Sequence, residues 1–180
     1  HLFTEFWPEA SEGATIHTLS INGSRAERPR LFAEAVHREI APRQFDCVFS
    51  LERTLKQDVY RAGDGVHRVW LQRRREFAPA WRGPFVGRGA FHKTMLELEA
   101  RTFDPKNTRR IIANSEMVKR EIIEHFRYPA DRIQIVRNGV EMGRFSGGDR
   151  TATRAQFRVK DDDYLLLFVG SGWERKGLSF

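Results

Sequence analysis

The sequence predicts an α/β protein built on a parallel sheet. Two observations carry that expectation. Short apolar or alternating runs recur at 16–21, 45–50, 110–114, 132–136 and 165–169, with segments of helical periodicity at 29–40, 91–102 and 115–126 between them. Residues suited to chemistry then fall just after the apolar runs, where ligands bind in such sheets. They are Ser50 and Glu52, Asp64, Asn114 and Ser115, Asn138 and Gly139, and the stretch Gly170 to Lys176.

Residues 1–15 carry Pro8, Ser11 and Gly13 and read as a loop. Ile16 to Ile21 alternates as a strand does, and Asn22-Gly23 closes it. Pro29 sits near the first turn of a helix that places Leu31, Phe32, Ala35, Val36 and Ile40 at helical spacing. Phe45 to Ser50 is expected as a short buried strand, with Cys47 as a small buried apolar residue on it. A further strand is expected around Asp58 to Ala62, and 65–93 shows no clean periodicity. A helix from near Phe91 reaches Thr102, and Arg110 to Asn114 is a strand. Ser115 caps the next helix, which ends near Phe126. Arg132 to Val136 is another strand, stopped by Asn138-Gly139. Residues 142–160, with Gly143, Gly147 and Gly148, read as a linker holding a short helix from Thr151 to Phe157. Leu165 to Val169 is continuously apolar, as a strand covered on both faces would be.

The 180 residues are 40% hydrophobic and 31% charged, an ordinary globular balance with no apolar run long enough to span a bilayer. One cysteine excludes an internal disulfide framework and fits a reducing compartment. The net charge of +7 is concentrated at 61–93, where Arg61, Arg68, Arg73, Arg74, Arg75, Arg82, Arg88 and Lys93 face only Asp64 and Glu76. Interleaved with Trp70, Phe77, Trp81 and Phe85, these cations suit an anionic membrane surface. A solvated face over a core stripe is the plain alternative, and single-stranded nucleic acid a third. No nucleic-acid motif organises the charge, so nucleic acid is not expected as a partner. His67 and His92 lack metal-ligand spacing, and no metal site is expected.

Gly170 to Gly177 carries two adjacent cations, Arg175 and Lys176, after an apolar run, an arrangement suited to a diphosphate. It is not a P-loop, because Leu178 follows Gly177. A solvated basic turn is its structural alternative. Asp64 lies between two glycines, so its carboxylate meets no side-chain crowding; an isolated turn aspartate is the alternative there.

Together these residues resemble a known family. Thr4-Glu-Phe-Trp7, Phe45 to Ser50, Gln57 to Gly65, Ile112-Ala-Asn-Ser115, Asn138-Gly-Val140 and Val169 to Gly177 are similar to motifs of the retaining glycosyltransferases of family 4, which have the GT-B fold. The Asp58-to-Asp64 segment resembles the branch that glucosylates a heptose of the lipopolysaccharide core. The resemblance implies a Rossmann-like N-terminal domain over 1–141, incomplete at its start. It implies an interdomain linker and short helix over 142–160, and the beginning of a second Rossmann-like domain over 161–180. It implies that Asp64 contacts the donor sugar near the reacting carbon, as the catalytic position. Asn138, Gly170, Ser171, Arg175 and Lys176 would bind the nucleotide sugar, with Arg175 and Lys176 on the diphosphate of UDP-glucose. No cofactor or obligatory metal is implied. The acceptor would be a lipopolysaccharide core or related glycan, and 66–93 would seat the protein on the inner face of the cytoplasmic membrane. The family's opening strand and glycine-rich loop are expected before His1, and its Glu-x7-Glu pair beyond Phe180, so this chain by itself is expected not to turn over substrate. A basic binding module without catalysis is the rival reading.

Overall fold

The computed structural model describes residues 1–8, 12–170, 172, 176 and 178. The chain forms two compact units, His1–Asn138 and Gly139–Phe180. The first unit holds two sheets, both parallel. β1 (Leu2–Thr4) pairs with β2 (Ile16–Thr18) in register Phe3 to His17. The larger sheet runs β3 (Phe49–Ser50), β4 (Gln57–Ala62), β5 (Thr108–Ala113) and β6 (Ile133–Ile135) in that order. Tyr60 lies opposite Ile111, and Ile111 opposite Ile133. Helix α1 (Arg28–Ile40) lies between β2 and β3, α2 (His67–Glu76) and α3 (Ala90–Thr102) lie between β4 and β5, and α4 (Glu116–Phe126) lies between β5 and β6. The last two connections are the long crossovers that parallel neighbours usually need, whereas β3 and β4 are joined by residues 51–56 alone.

The core of this unit follows from the strand pattern. Tyr60, Ala62, Ile111, Ala113 and Ile133 point into a cluster closed by Val66, Val69, Phe103, Val118, Ile122 and Tyr128. Tyr60 meets Phe103 edge-on at 5.8 Å between centroids. The buried Tyr128 hydroxyl donates to Thr108 O at 2.8 Å, so its polar end is satisfied. α4 is bounded by its own chemistry: Ser115 Oγ accepts from Val118 N at 3.3 Å, and Arg127 ends the helix at φ +53°.

Four expectations change. Leu2–Thr4 is a strand, not part of a loop, because Leu2 N donates to Thr15 O and seats it against β2. The strand expected over 45–50 shortens to Phe49–Ser50, and Cys47 is exposed. Ahead of that strand, Asp58 Oδ2 takes the Val48 amide at 2.9 Å while Val48 O still accepts from Val59 N at 3.0 Å, so only the N–H side of the ladder is given over to a side chain. Part of 65–93 is helical: α2 buries only Val69 and Leu71, so its apolar stripe is too thin to show among the arginines.

The second unit is described by a short helix α5 (Arg150–Gln156), where Asp149 Oδ1 accepts from Ala152 N at 2.9 Å. Leu165 to Val169 is not a strand; Leu166 and Val169 are 95% and 81% exposed. A strand exists only as a pair, and no described segment of this unit supplies the partner backbone.

Candidate active site

The carboxyl ends of the large sheet gather the polar residues. β4 ends at Ala62, and Gly63-Asp64-Gly65 turns the chain into α2. Gly65 has φ +71°, a left-handed conformation that favours glycine. Both shoulders of the turn are held. Asn114, just past β5, donates Nδ2 to Gly63 O at 2.9 Å. Arg53, past β3, donates Nη2 to Gly65 O at 3.1 Å. Asp64 projects exposed between these two clamps.

Arg53 is itself anchored. Its Nη2 lies 3.4 Å from Glu99 Oε1, with the two side chains 6% and 0% exposed. Glu99 reaches from α3 to the start of α2, accepting from Arg68 N at 3.0 Å and from His67 N. A carboxylate at a helix N-terminus satisfies two amides that have no partner inside the helix. Burial pushes the Glu99 carboxyl above its ordinary value, against the pull of Arg53 and the two amides. Glu52 is also raised, first by burial and second by the neighbouring Asp64 charge.

Asn138 joins the same edge. Arg61 donates Nη2 to Asn138 Oδ1 at 2.6 Å. A Cβ on Gly63 would come within 2.8 Å of Arg61 Nη1, so the guanidinium lies over the Gly63 backbone. Arg61 thus links the turn carrying Asp64 to the segment after β6. In the second unit, a Cβ on Gly170 would stand 3.7 Å from Lys176 Cγ, and Lys176 N donates to Gly172 O at 3.1 Å. Gly170 and Lys176 therefore sit together. Ser171 and Arg175 lie outside the described residues.

The sequence reading missed Arg53, Arg61 and Glu99. Glu99 left a trace: it shares a helical stripe with Met95, Leu98 and Thr102, and a carboxylate on an apolar stripe signals a buried partner. His67 and His92, which lack metal-ligand spacing in the sequence, are in contact: Nε2 and Nδ1 are 3.2 Å apart. Burial, with Arg53 and then His92, pushes His67 down to about 4. Burial, with Arg74 and Arg25, also lowers His92. At neutral pH the two rings form a neutral pair, one donating to the other.

Beside α2 the basic and aromatic side chains interleave in space as in sequence. Arg82 lies 4.5 Å from the Trp81 ring centroid and Arg88 5.5 Å from that of Phe85. Trp81 is 68% exposed and Phe85 66%. Among the described residues no helix is long and apolar enough to cross a membrane.

An α/β unit with its polar residues collected at the carboxyl ends of parallel strands belongs to the class that binds ligands at those ends. Residues 1–144 match the model described as Glycosyltransferase Family 4, and the chain belongs to that family. The crystal structure of WaaG, a glycosyltransferase involved in lipopolysaccharide biosynthesis, shares the fold with a TM-score of 0.74. At 20% identity, that match covers 98% of this chain and 48% of WaaG. The D-inositol 3-phosphate glycosyltransferase of Geodermatophilus obscurus is 39% identical over 61 residues, 34% of this chain and 14% of that protein. The protein of the same description from Nocardia farcinica is 33% identical over 61 residues, with the same shares. The chain therefore spans about half of the solved relative, and its alignment with the curated relatives spans about a seventh of their length.

Proposed function

We propose that the protein transfers a glycosyl group from a nucleotide sugar to a glycan acceptor, and that the donor is UDP-glucose and the acceptor a heptose of the lipopolysaccharide core or a related glycan. The observation that carries this reading is the clamped turn. Asp64 is exposed at a strand end while both flanking carbonyls are held by side chains. The backbone that carries this carboxylate is held in place before substrate arrives, so little reorganisation of the turn is needed when positive charge develops at the sugar carbon.

In the transfer, the bond between the sugar's anomeric carbon and the diphosphate oxygen breaks. The acceptor oxygen forms a new bond to that carbon and gives up its proton to the departing diphosphate. Asp64 faces the developing positive charge on the sugar ring. Arg175 and Lys176 meet the negative charge growing on the diphosphate, and Gly170 and Ser171 line its approach. Asn138, held by Arg61, contacts the donor. Protein cations fill the role a metal would otherwise play, so the reaction requires none. The exposed Trp81 and Phe85, each with an arginine against its ring, seat the protein on an anionic membrane face on the cytoplasmic side.

The test is turnover of UDP-glucose by the protein extended to its full reading frame. A charge-assisted hydrogen bond is worth about 1.5–3 kcal/mol. Arg175→Ala or Lys176→Ala should therefore slow transfer by roughly ten- to a hundredfold. Unchanged transfer by both variants would remove the diphosphate assignment.

A further inference from the structure

Arg53 and Glu99 are charged, yet their side chains are only 6% and 0% exposed. Neither takes part in the transfer chemistry. A buried ion pair often stabilises a fold no more than two apolar side chains of the same volume would. Among the described residues, Arg53 Nε is buried without a partner, a further cost. The pair therefore calls for a use other than stability, and its contacts supply one.

Arg53 follows the end of β3, and Glu99 lies on the buried face of α3 beside Leu98 and Thr102. Both reach the same short run of backbone. Arg53 Nη2 has two hydrogens, and both are used: it donates to Gly65 O at 3.1 Å and to Glu99 Oε1 at 3.4 Å. Glu99 takes the amides that follow, Oε1 from His67 N and Oε2 from Arg68 N at 3.0 Å. One pair thus holds residues 65, 67 and 68. On the other shoulder, Asn114 Nδ2 holds Gly63 O at 2.9 Å. Asp64 is the exposed residue in between, with Ala62 and Val66 buried on either side. Two flanking glycines alone would leave Asp64 free to swing, because glycine has the widest range of φ and ψ. The contacts of the pair remove that freedom, with Gly65 held at φ +71°.

We propose that Arg53 and Glu99 are positioning residues for the transfer reaction, the buried pair aiming the Asp64 carboxylate through the backbone of residues 65–68. Hydrogen bonds have direction and hydrophobic contacts do not. An apolar pair of equal size would fill the same space without holding Gly65 O or the two helix amides. Its introduction should therefore release Asp64 without emptying the core. This role rests on the reading of Asp64 as the carboxylate that faces the developing charge on the sugar.

The experiment is a double-mutant cycle on kcat in the protein extended to its full reading frame. One arm is the pair variant, Arg53→Met with Glu99→Leu; the other is Asp64→Asn. Alone, the pair variant should lower kcat about ten- to a hundredfold, the scale of a small misplacement of a reacting group. KM for UDP-glucose should change less than about twofold, since the lost contact acts in the transition state. In the Asp64→Asn background the pair variant should lower kcat less than about threefold, because the group it aims is already gone. A general loss of structure would lower kcat equally in both backgrounds. Equal effects in the two backgrounds would overturn the proposal, and so would wild-type kcat in the pair variant. Wild-type turnover by Asp64→Asn alone would instead reject the reading of Asp64 on which the proposal rests. A second measurement needs no turnover: amide relaxation by NMR in the 180-residue chain. The Asp64 and Gly65 amides should show order parameters of about 0.85 in the wild type and below about 0.6 in the pair variant, with β5 unchanged. Unchanged order at Asp64 in the pair variant would overturn the proposal whatever the activity.

Discussion

Replacing Glu99 by alanine tests the bracket that holds the Asp64 turn. Glu99 is fully buried, and its carboxylate is the counter-charge for Arg53 and the acceptor for two amides of α2. Glu99→Ala leaves a buried guanidinium without its carboxylate. Breaking a buried pair on one side costs about 3–5 kcal/mol. For a unit of this size each kcal/mol moves the midpoint by about 3–5 °C, so Tm should fall by roughly 10–20 °C. Glu99→Gln keeps a carbonyl oxygen for one amide and should fall between the two. Removing both charges in Arg53→Met with Glu99→Leu should recover at least half of the loss, because no charge is then stranded. The assay is thermal unfolding at pH 7 followed by circular dichroism. A Tm within about 3 °C of wild type for Glu99→Ala, less than about 1 kcal/mol on this scale, would refute the reasoning. So would a double variant no more stable than the single one.

Three further outcomes follow from the same contacts. His67 and His92 have folded pKa values below the ordinary 6.5, His67 at about 4, so the pair contributes stability that is full above pH 6.5 and lost as pH falls toward 4. The raised Glu52 and Glu99 act in the opposite sense over the acid range, so the reading is the difference between wild type and His67→Gln: the variant should lose less Tm between pH 7 and pH 5. An equal loss in both would contradict the pairing. Ser115→Ala removes the α4 cap and should cost about 1 kcal/mol, read as a lower urea midpoint with unchanged slope. Trp81→Ala with Phe85→Ala should weaken sedimentation with anionic liposomes by at least about tenfold, since burying each ring is worth about 1.5–3 kcal/mol. Unchanged liposome binding would contradict the seating on these rings, and a preference for oligonucleotides would favour the rival binding module.

The sequence made the large sheet legible because β4, β5 and β6 are bounded by strong signals. Gly63 and Gly65 end one strand, Ser115 follows another, and Asn138-Gly139 follows the third. α2 was not legible, because three consecutive arginines mask a helix that buries only Val69 and Leu71. Leu165 to Val169 reads as a strand from its own side chains, but pairing depends on a neighbour, which an isolated run cannot reveal. Asp64 could be singled out because two glycines flank it. The clamps that fix it could not, since Arg53, Glu99 and Asn114 lie on three separate elements and meet only when the sheet forms.

The most direct measurement is sugar transfer by the full-length protein with Asp64→Asn, alongside its Tm. Asp64 is exposed and its neighbours hold the turn through backbone carbonyls, so Tm should stay at the wild-type value. Turnover should fall by about a hundredfold or more, the scale of removing one fixed charge stabiliser. Wild-type turnover by Asp64→Asn would contradict the placing of the reaction at this strand end.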